Sequence, residues 1–189
     1  MKLSLTLAAA LAAAGLTLAA ATLQDKGKLD AAATGMSGPG PEHKVLELWA
    51  GDWDATVTVD MGGPKPDVSQ ATYSARVGLG GLWLTGEFKG QFMGQPFEGR
   101  DVLGYDSGKK SYVGTWIDSG SPSLSVSSGT WDAASQTLTM RGTGLDPATG
   151  KEMGSVMKTS FRGADRMLLS LQMDGAPAPM MTIEYKRMK

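Results

Sequence analysis

The sequence predicts an all-β domain: an antiparallel up-and-down barrel of about ten strands, closed at one end by a short N-terminal helix. Three observations predict it. Between Glu42 and Asp60 a short helical pattern gives way, at Gly51-Asp52-Trp53, to alternation of period two. Short β-like segments separated by turn sequences then run to the C-terminus. The chain also carries 26 glycines, several of them inside those segments, where they supply the bulges and bends of a small, strongly curved barrel. Function in such a container belongs in the lumen.

Residues 1–21 read as a signal peptide. Lys2 gives a minimal positive n-region, Leu3 to Leu18 an uncharged Ala/Leu run, and Ala19-Ala20-Ala21 the small residues a signal peptidase needs. The mature chain is therefore expected in the periplasm or outside the cell, with no stable membrane insertion. The alternative is an uncleaved anchor, because Leu3 to Leu23 is long enough to span a bilayer, although it is alanine-dominated. The absence of cysteine removes lipoprotein anchoring, disulfides and thiolate metal sites. Export without cysteine suits a bacterial periplasm better than a eukaryotic secretory route. With no Asn in the chain there is no N-glycosylation acceptor. The 18 basic and 19 acidic side chains nearly cancel, so the basic footprint of a nucleic-acid partner is missing.

Residues 22–41 hold Ala, Gly, Pro, Ser and scattered charge, with almost nothing to bury, and read as a flexible linker. The barrel domain follows over residues 42–189. Its helix starts near Pro41, a residue tolerated at the first helical position, with Val45, Leu48 and Trp49 on the packed face. Gly51 ends it. In the first strand Trp53, Ala55, Val57 and Val59 share one face and Asp54, Thr56, Thr58 and Asp60 the other, until Gly62-Gly63-Pro64 breaks it. Further strands are predicted at Ala71–Val77, Leu82–Lys89, Phe97–Tyr105 and Ser111–Ile117. Leu124–Trp131, Thr137–Arg141, Met153–Arg162, Met167–Met173 and Met181–Arg187 complete the set. Turns fall at Asp106-Ser107-Gly108, where Asp106 closes the turn and Gly108 supplies a positive φ, at Asp146–Gly150, and at Asp174-Gly175. Closing the meander into a barrel removes its exposed edges. The glycines do not form a phosphate-cradling loop, since no Gly-Lys-Ser/Thr and no helix follow them.

Several separated motifs carry a resemblance. They are Glu42-His43-x-x-Leu46-x-x-x-x-Gly51-x-Trp53, Gly80-Gly81, Pro96-Phe97-Glu98-Gly99, Gly104-Tyr105-Asp106, Tyr112 and Trp116-x-Asp118. From Pro41 to Lys189 the chain resembles an uncharacterised bacterial domain-of-unknown-function family of the calycin (lipocalin-like) superfamily. The resemblance implies a lipocalin-like barrel with an N-terminal helical plug. It brings no established activity and no catalytic residues.

His43 is the only histidine, which excludes histidine metal clusters and sites that need two imidazoles. It can face the barrel mouth as a ligand contact or acid–base group, or simply secure the helix entry. Asp118 follows Trp116 by two residues, so alternation sends both inward if Tyr112 and Gly114 point inward. Asp118 then needs a hydrogen-bond partner, rim solvent or a ligand, and Asp101, beside Phe97 and Leu103, poses the same question. Of the 12 methionines, Met153 and Met157 alternate onto one face with Phe161, as Met167 and Met173 do with Leu169 and Leu171. That favours lining or core over copper(I) ligation. Haem in such a barrel wants an axial strand histidine, and none exists. No nucleophile elbow or other enzyme signature is present. The reading is thus an exported barrel that binds a small apolar or amphipathic molecule, without metal or cofactor. Its candidate lining residues are His43, Tyr73, Leu84, Phe88, Tyr112, Trp116, Asp118, Met157 and Phe161. The rivals are a structural or stress-related envelope barrel with a filled core, and a hydrolase-like enzyme built on His43 and the rim carboxylate Asp118.

Overall fold

The computed structural model describes residues 38–145 and 150–189. The expected signal peptide, most of the linker, and residues 146–149 of the expected turn lie outside the described residues. Ten strands form a closed antiparallel barrel in which each pairs with its chain neighbour and β1 closes onto β10. They are β1 Gly51–Val59, β2 Asp67–Gly78, β3 Trp83–Phe92, β4 Gln95–Asp106 and β5 Ser111–Asp118, then β6 Ser121–Asp132, β7 Thr137–Leu145, β8 Glu152–Phe161, β9 Arg166–Met173 and β10 Met181–Arg187. No strand is left as a sheet edge, as the meander reading required.

Several strands begin or end several residues beyond the hydrophobic pattern. Asp67–Gln70 of β2 pair with β1, and Ser121 of β6 with Asp118, although none of these residues is buried. In the Asp106–Ser111 hairpin Asp106 Oδ1 accepts the Lys109 N–H at 3.0 Å, but the positive φ of 51° falls on Lys110, not Gly108. Gly175 does take a positive φ, 80°, after Asp174.

The N-terminal helix, Pro41–Leu48, is a 3₁₀ helix. That changes its packed face. A 3₁₀ helix repeats every three residues, so side chains at i and i+3 eclipse. His43, Leu46 and Trp49 are therefore the buried set, while Val45 and Leu48 are half-buried. The expected Val45–Leu48–Trp49 face assumed the 3.6-residue period of an α-helix.

This helix closes one end of the barrel. Trp53 is fully buried, and its indole N–H donates to the Trp49 carbonyl at 2.8 Å. Over the Trp53 ring, at 4.0 Å, lies the Arg187 guanidinium. It donates to the Leu48 carbonyl at 3.2 Å, the Ala164 carbonyl at 2.8 Å and the Ala50 carbonyl. Arg187 thus satisfies carbonyls that the end of the helix leaves open, and adds a cation–π contact. The Tyr112 hydroxyl donates to the Glu42 carbonyl at 2.8 Å, and Trp49 meets Phe161 edge-on with centroids 4.5 Å apart. Leu46, Leu84, Leu138 and Met140 complete a packed layer beneath.

Candidate functional site: the half of the barrel away from the helix

Inward-facing side chains divide by height. Most of those near the helix are buried, with Val77, Tyr105 and Trp131 partly so. Further along the strands, Trp116, Met157, Leu169 and Met181 pack against the same core yet remain half-buried. Solvent reaches part of that half, where Val57, Val59 and Phe88 are nonetheless buried.

Four aromatics gather there on β3, β4 and β5. Trp116 stacks on Phe97, with centroids 6.5 Å apart and planes at 21°, and meets Phe88 at 6.3 Å. Phe92 meets Phe97 at 5.7 Å. Gly99 makes this possible, because a methyl group there would collide with the Trp116 indole. Asp118 ties the cluster to the rim. One carboxylate oxygen accepts the Trp116 indole N–H at 2.8 Å, and the other accepts the backbone N–H groups of Gly120 and Ser121 at 2.8 and 2.9 Å. The register of β5 against β6 shifts between Trp116 and Asp118, so the hairpin tightens around this carboxylate.

Deeper lies a carboxylate–phenol pair. The Tyr73 hydroxyl sits 3.1 Å from both oxygens of Asp101, and Tyr185 lies beside it with ring centroids 5.7 Å apart. Gly86 on the intervening strand leaves the space, since a methyl there would collide with both partners. Burial pushes the Asp101 carboxyl up to about 6, against the lowering effect of the Tyr73 bond and its own backbone N–H. Burial, then the charge of Asp101, raises both Tyr73 and Tyr185 well above the ordinary phenol value.

The candidate residues fall into two groups. Phe88, Trp116, Asp118 and Met157 belong to the half that solvent reaches, with Tyr73 at its floor. His43, Leu84, Tyr112 and Phe161 belong to the packed end. The imidazole of His43 accepts the Gly40 N–H on Nδ1 at 3.0 Å and meets Tyr105 edge-on at 5.9 Å. In the neutral ring that contact leaves the proton on Nε2. Tyr112, which contacts the helix, and Asp118 stand at opposite ends of β5, about 20 Å apart at a strand rise of about 3.3 Å per residue. The imidazole and the rim carboxylate are therefore not within reach of each other. Among the described residues no three His, Cys, Asp or Glu side chains converge to hold a metal ion.

A family model described as "Protein of unknown function (DUF1579)" matches residues 38–187. The chain belongs to this family. No curated protein matches the sequence. Among solved structures the barrel is similar to the crystal structure of Rv2717c from M. tuberculosis, with 16% identity and a TM-score of 0.56 over 79% of this chain and 99% of that one. It is also similar to the S-type phycobiliprotein lyase CPES from Guillardia theta, with 10% identity and a TM-score of 0.51 over 77% of this chain and 92% of that one. At such identities these likenesses concern the fold alone.

Family membership brings no residue roles, so the site stands on its geometry. Sequence reasoning raised the question of Asp101 without finding its partner. Tyr73 lies 28 positions earlier, two strands away, and only the registers of β2, β3 and β4 bring the pair together. The signal was the coincidence of an inward Asp, an inward Tyr and a strand glycine between them.

Proposed function

We propose that this is an exported, lipocalin-like barrel of the calycin type that holds a small apolar or amphipathic molecule in the half of its lumen away from the helix. One observation carries the reading: Trp116, Met157, Leu169 and Met181 face the core and yet stay half-buried, while Leu46, Trp53, Leu84 and Leu138 toward the helix are fully buried. Ligand pockets are concave and mostly apolar, with few polar groups fixing orientation. Here those groups are Asp101 with Tyr73, and Asp118 at the rim. The likeness to a phycobiliprotein lyase supports a barrel of this shape. Export rests on the N-terminal sequence, with cleavage expected near Ala21, and N-terminal sequencing of the protein from its own host tests it.

An apolar fluorescent probe tests the binding. It is expected to bind and to quench tryptophan emission, and Trp116→Ala to weaken binding by about tenfold or more, as loss of a buried aromatic contact would. Ile117→Ala, on the outer face, is expected to leave binding unchanged. The second reading, a structural barrel filled by its own side chains, draws on the Phe88–Phe97–Trp116 cluster, which already occupies part of the lumen. Absence of probe binding by the wild type would decide for it.

A further inference from the structure

Asp101 and Tyr73 define the floor of the lumen, and their hydrogen-bond balance is incomplete. One phenolic hydrogen is shared between two carboxylate oxygens, each 3.1 Å away. An ionised carboxylate offers about four acceptor positions, and among the described residues its donors are the Tyr73 hydroxyl and the backbone N–H of Asp101 itself. No Lys or Arg is paired with it among the described ion pairs. Asp101 nevertheless points inward and is half-buried, so a molecule entering the lumen can reach it. Its neighbours across the sheet are Gly86, which contributes only space, and Trp116, whose indole joins the Phe88–Phe97 cluster. An aromatic face beside a carboxylate that lacks a cation is the chemistry that receives an ammonium group: one charge to pair, and a π-surface for the rest of the head.

We propose that the lumen selects an amphipath with a protonated amine head, the amine donating to Asp101 and the apolar tail lying along Trp116, Met157 and Leu169. The inference rests on the lumen-binding reading given above and supplies the polarity of its ligand. A carboxylate-headed amphipath, such as a fatty acid, would place like charge against Asp101. An alcohol would donate one hydrogen bond without the charge. The order amine, alcohol, acid therefore follows from the geometry.

The pair also gives the selectivity a pH dependence. Burial holds the carboxyl near 6. Among the described residues that face it, Tyr73 from β2 and Tyr185 from β10 are the ones that titrate, both far above neutrality. Gly86 on β3 and Trp116 on β5 carry no titratable group. Preference for the amine is thus present above about pH 6 and fades below it as Asp101 takes up a proton.

The test uses the signal-processed full chain and three ten-carbon probes below their aggregation concentrations: decylammonium, decanol and decanoate. Binding is read from tryptophan emission at pH 8 and pH 5. At pH 8 decylammonium is expected to bind at least about tenfold more tightly than decanoate, the lower end of what a hydrogen bond to a charged group contributes. At pH 5 that ratio should collapse. Asp101→Asn, which keeps the shape and can still accept from Tyr73, should abolish the amine preference at pH 8. Should that variant not fold, Tyr73→Phe tests the same point. Removing the phenol leaves the carboxylate short of a donor, and the amine preference should widen. Equal binding of the three probes, or a preference that survives Asp101→Asn or fails to widen in Tyr73→Phe, overturns the amine assignment and leaves lumen binding intact. Failure of all three probes to bind overturns lumen binding itself, and the assignment with it.

Discussion

Asp101 shows how one side chain sets a stability cost inside an otherwise apolar wall. Its folded carboxyl titrates near 6, above the ordinary value of 3.8. The neutral form is therefore the one the fold favours. Stability from this group is fully present below about pH 4 and is lost as pH rises through about 6. Asp101→Asn removes the penalty. It is expected to be more stable than the wild type by up to about 3 kcal/mol at pH 8, since each tenfold change in proton affinity is worth about 1.4 kcal/mol, with the gap closing by pH 4. Urea melts at pH 8, 6 and 4 read this directly, and a variant less stable than the wild type at pH 8 would show the Tyr73 bond outweighing burial. Gly86 is the complementary case. Gly86→Ala puts a methyl against both Asp101 and Tyr73, and a loss of about 1–3 kcal/mol is expected, as for overpacked interiors generally.

At the scale of elements, side chains tie the end of the 3₁₀ helix to the barrel. Arg187 reaches from the end of β10 to the Leu48 and Ala50 carbonyls and covers Trp53, which in turn donates to Trp49. Trp53→Ala is expected to cost about 3–5 kcal/mol in denaturant melts, the range for buried aromatics. Arg187→Met is expected to cost about 1–2 kcal/mol, because it leaves the partly buried Leu48 and Ala50 carbonyls without this donor. Since the two side chains touch, the double variant should lose less than the sum of the single losses. Strict additivity would mean that each is held by other contacts.

The same elements show what the sequence discloses. Alternation in Trp53–Val59 and Met181–Arg187 reveals strands because one face is buried and the other wet. The outer ends of β2 and β6 carry no such contrast, so backbone pairing extends them where no side-chain pattern points. The helix was legible, but its handover to a three-residue period was not. That period depends on His43 closing onto Gly40 and on which residues meet the barrel floor. Alternation places Tyr73, Leu84, Phe88, Tyr112, Trp116, Met157 and Phe161 on the face that packs against the core. Which of them lie near the helix and which lie beyond it depends on strand stagger, which alternation does not encode.

For the whole molecule, the barrel joins a more deeply buried end beside the helix and a half-exposed end to which the proposed ligand is assigned. The division makes stability and binding separable. Trp49 lies in the packed end against Phe161, and Trp49→Ala is expected to cost about 3–5 kcal/mol of stability. Its effect on apolar-probe affinity should stay below about twofold, or about 0.4 kcal/mol. Met157 lies in the other half, and Met157→Ala should show the reverse: about 1 kcal/mol of stability, as befits a half-buried side chain, and about tenfold weaker probe binding. Melts and probe titrations on the same two variants give both readings. If Trp49→Ala weakens binding as much as Met157→Ala does, the lumen is one coupled compartment. The packed end would then be part of the binding site and not merely its foundation.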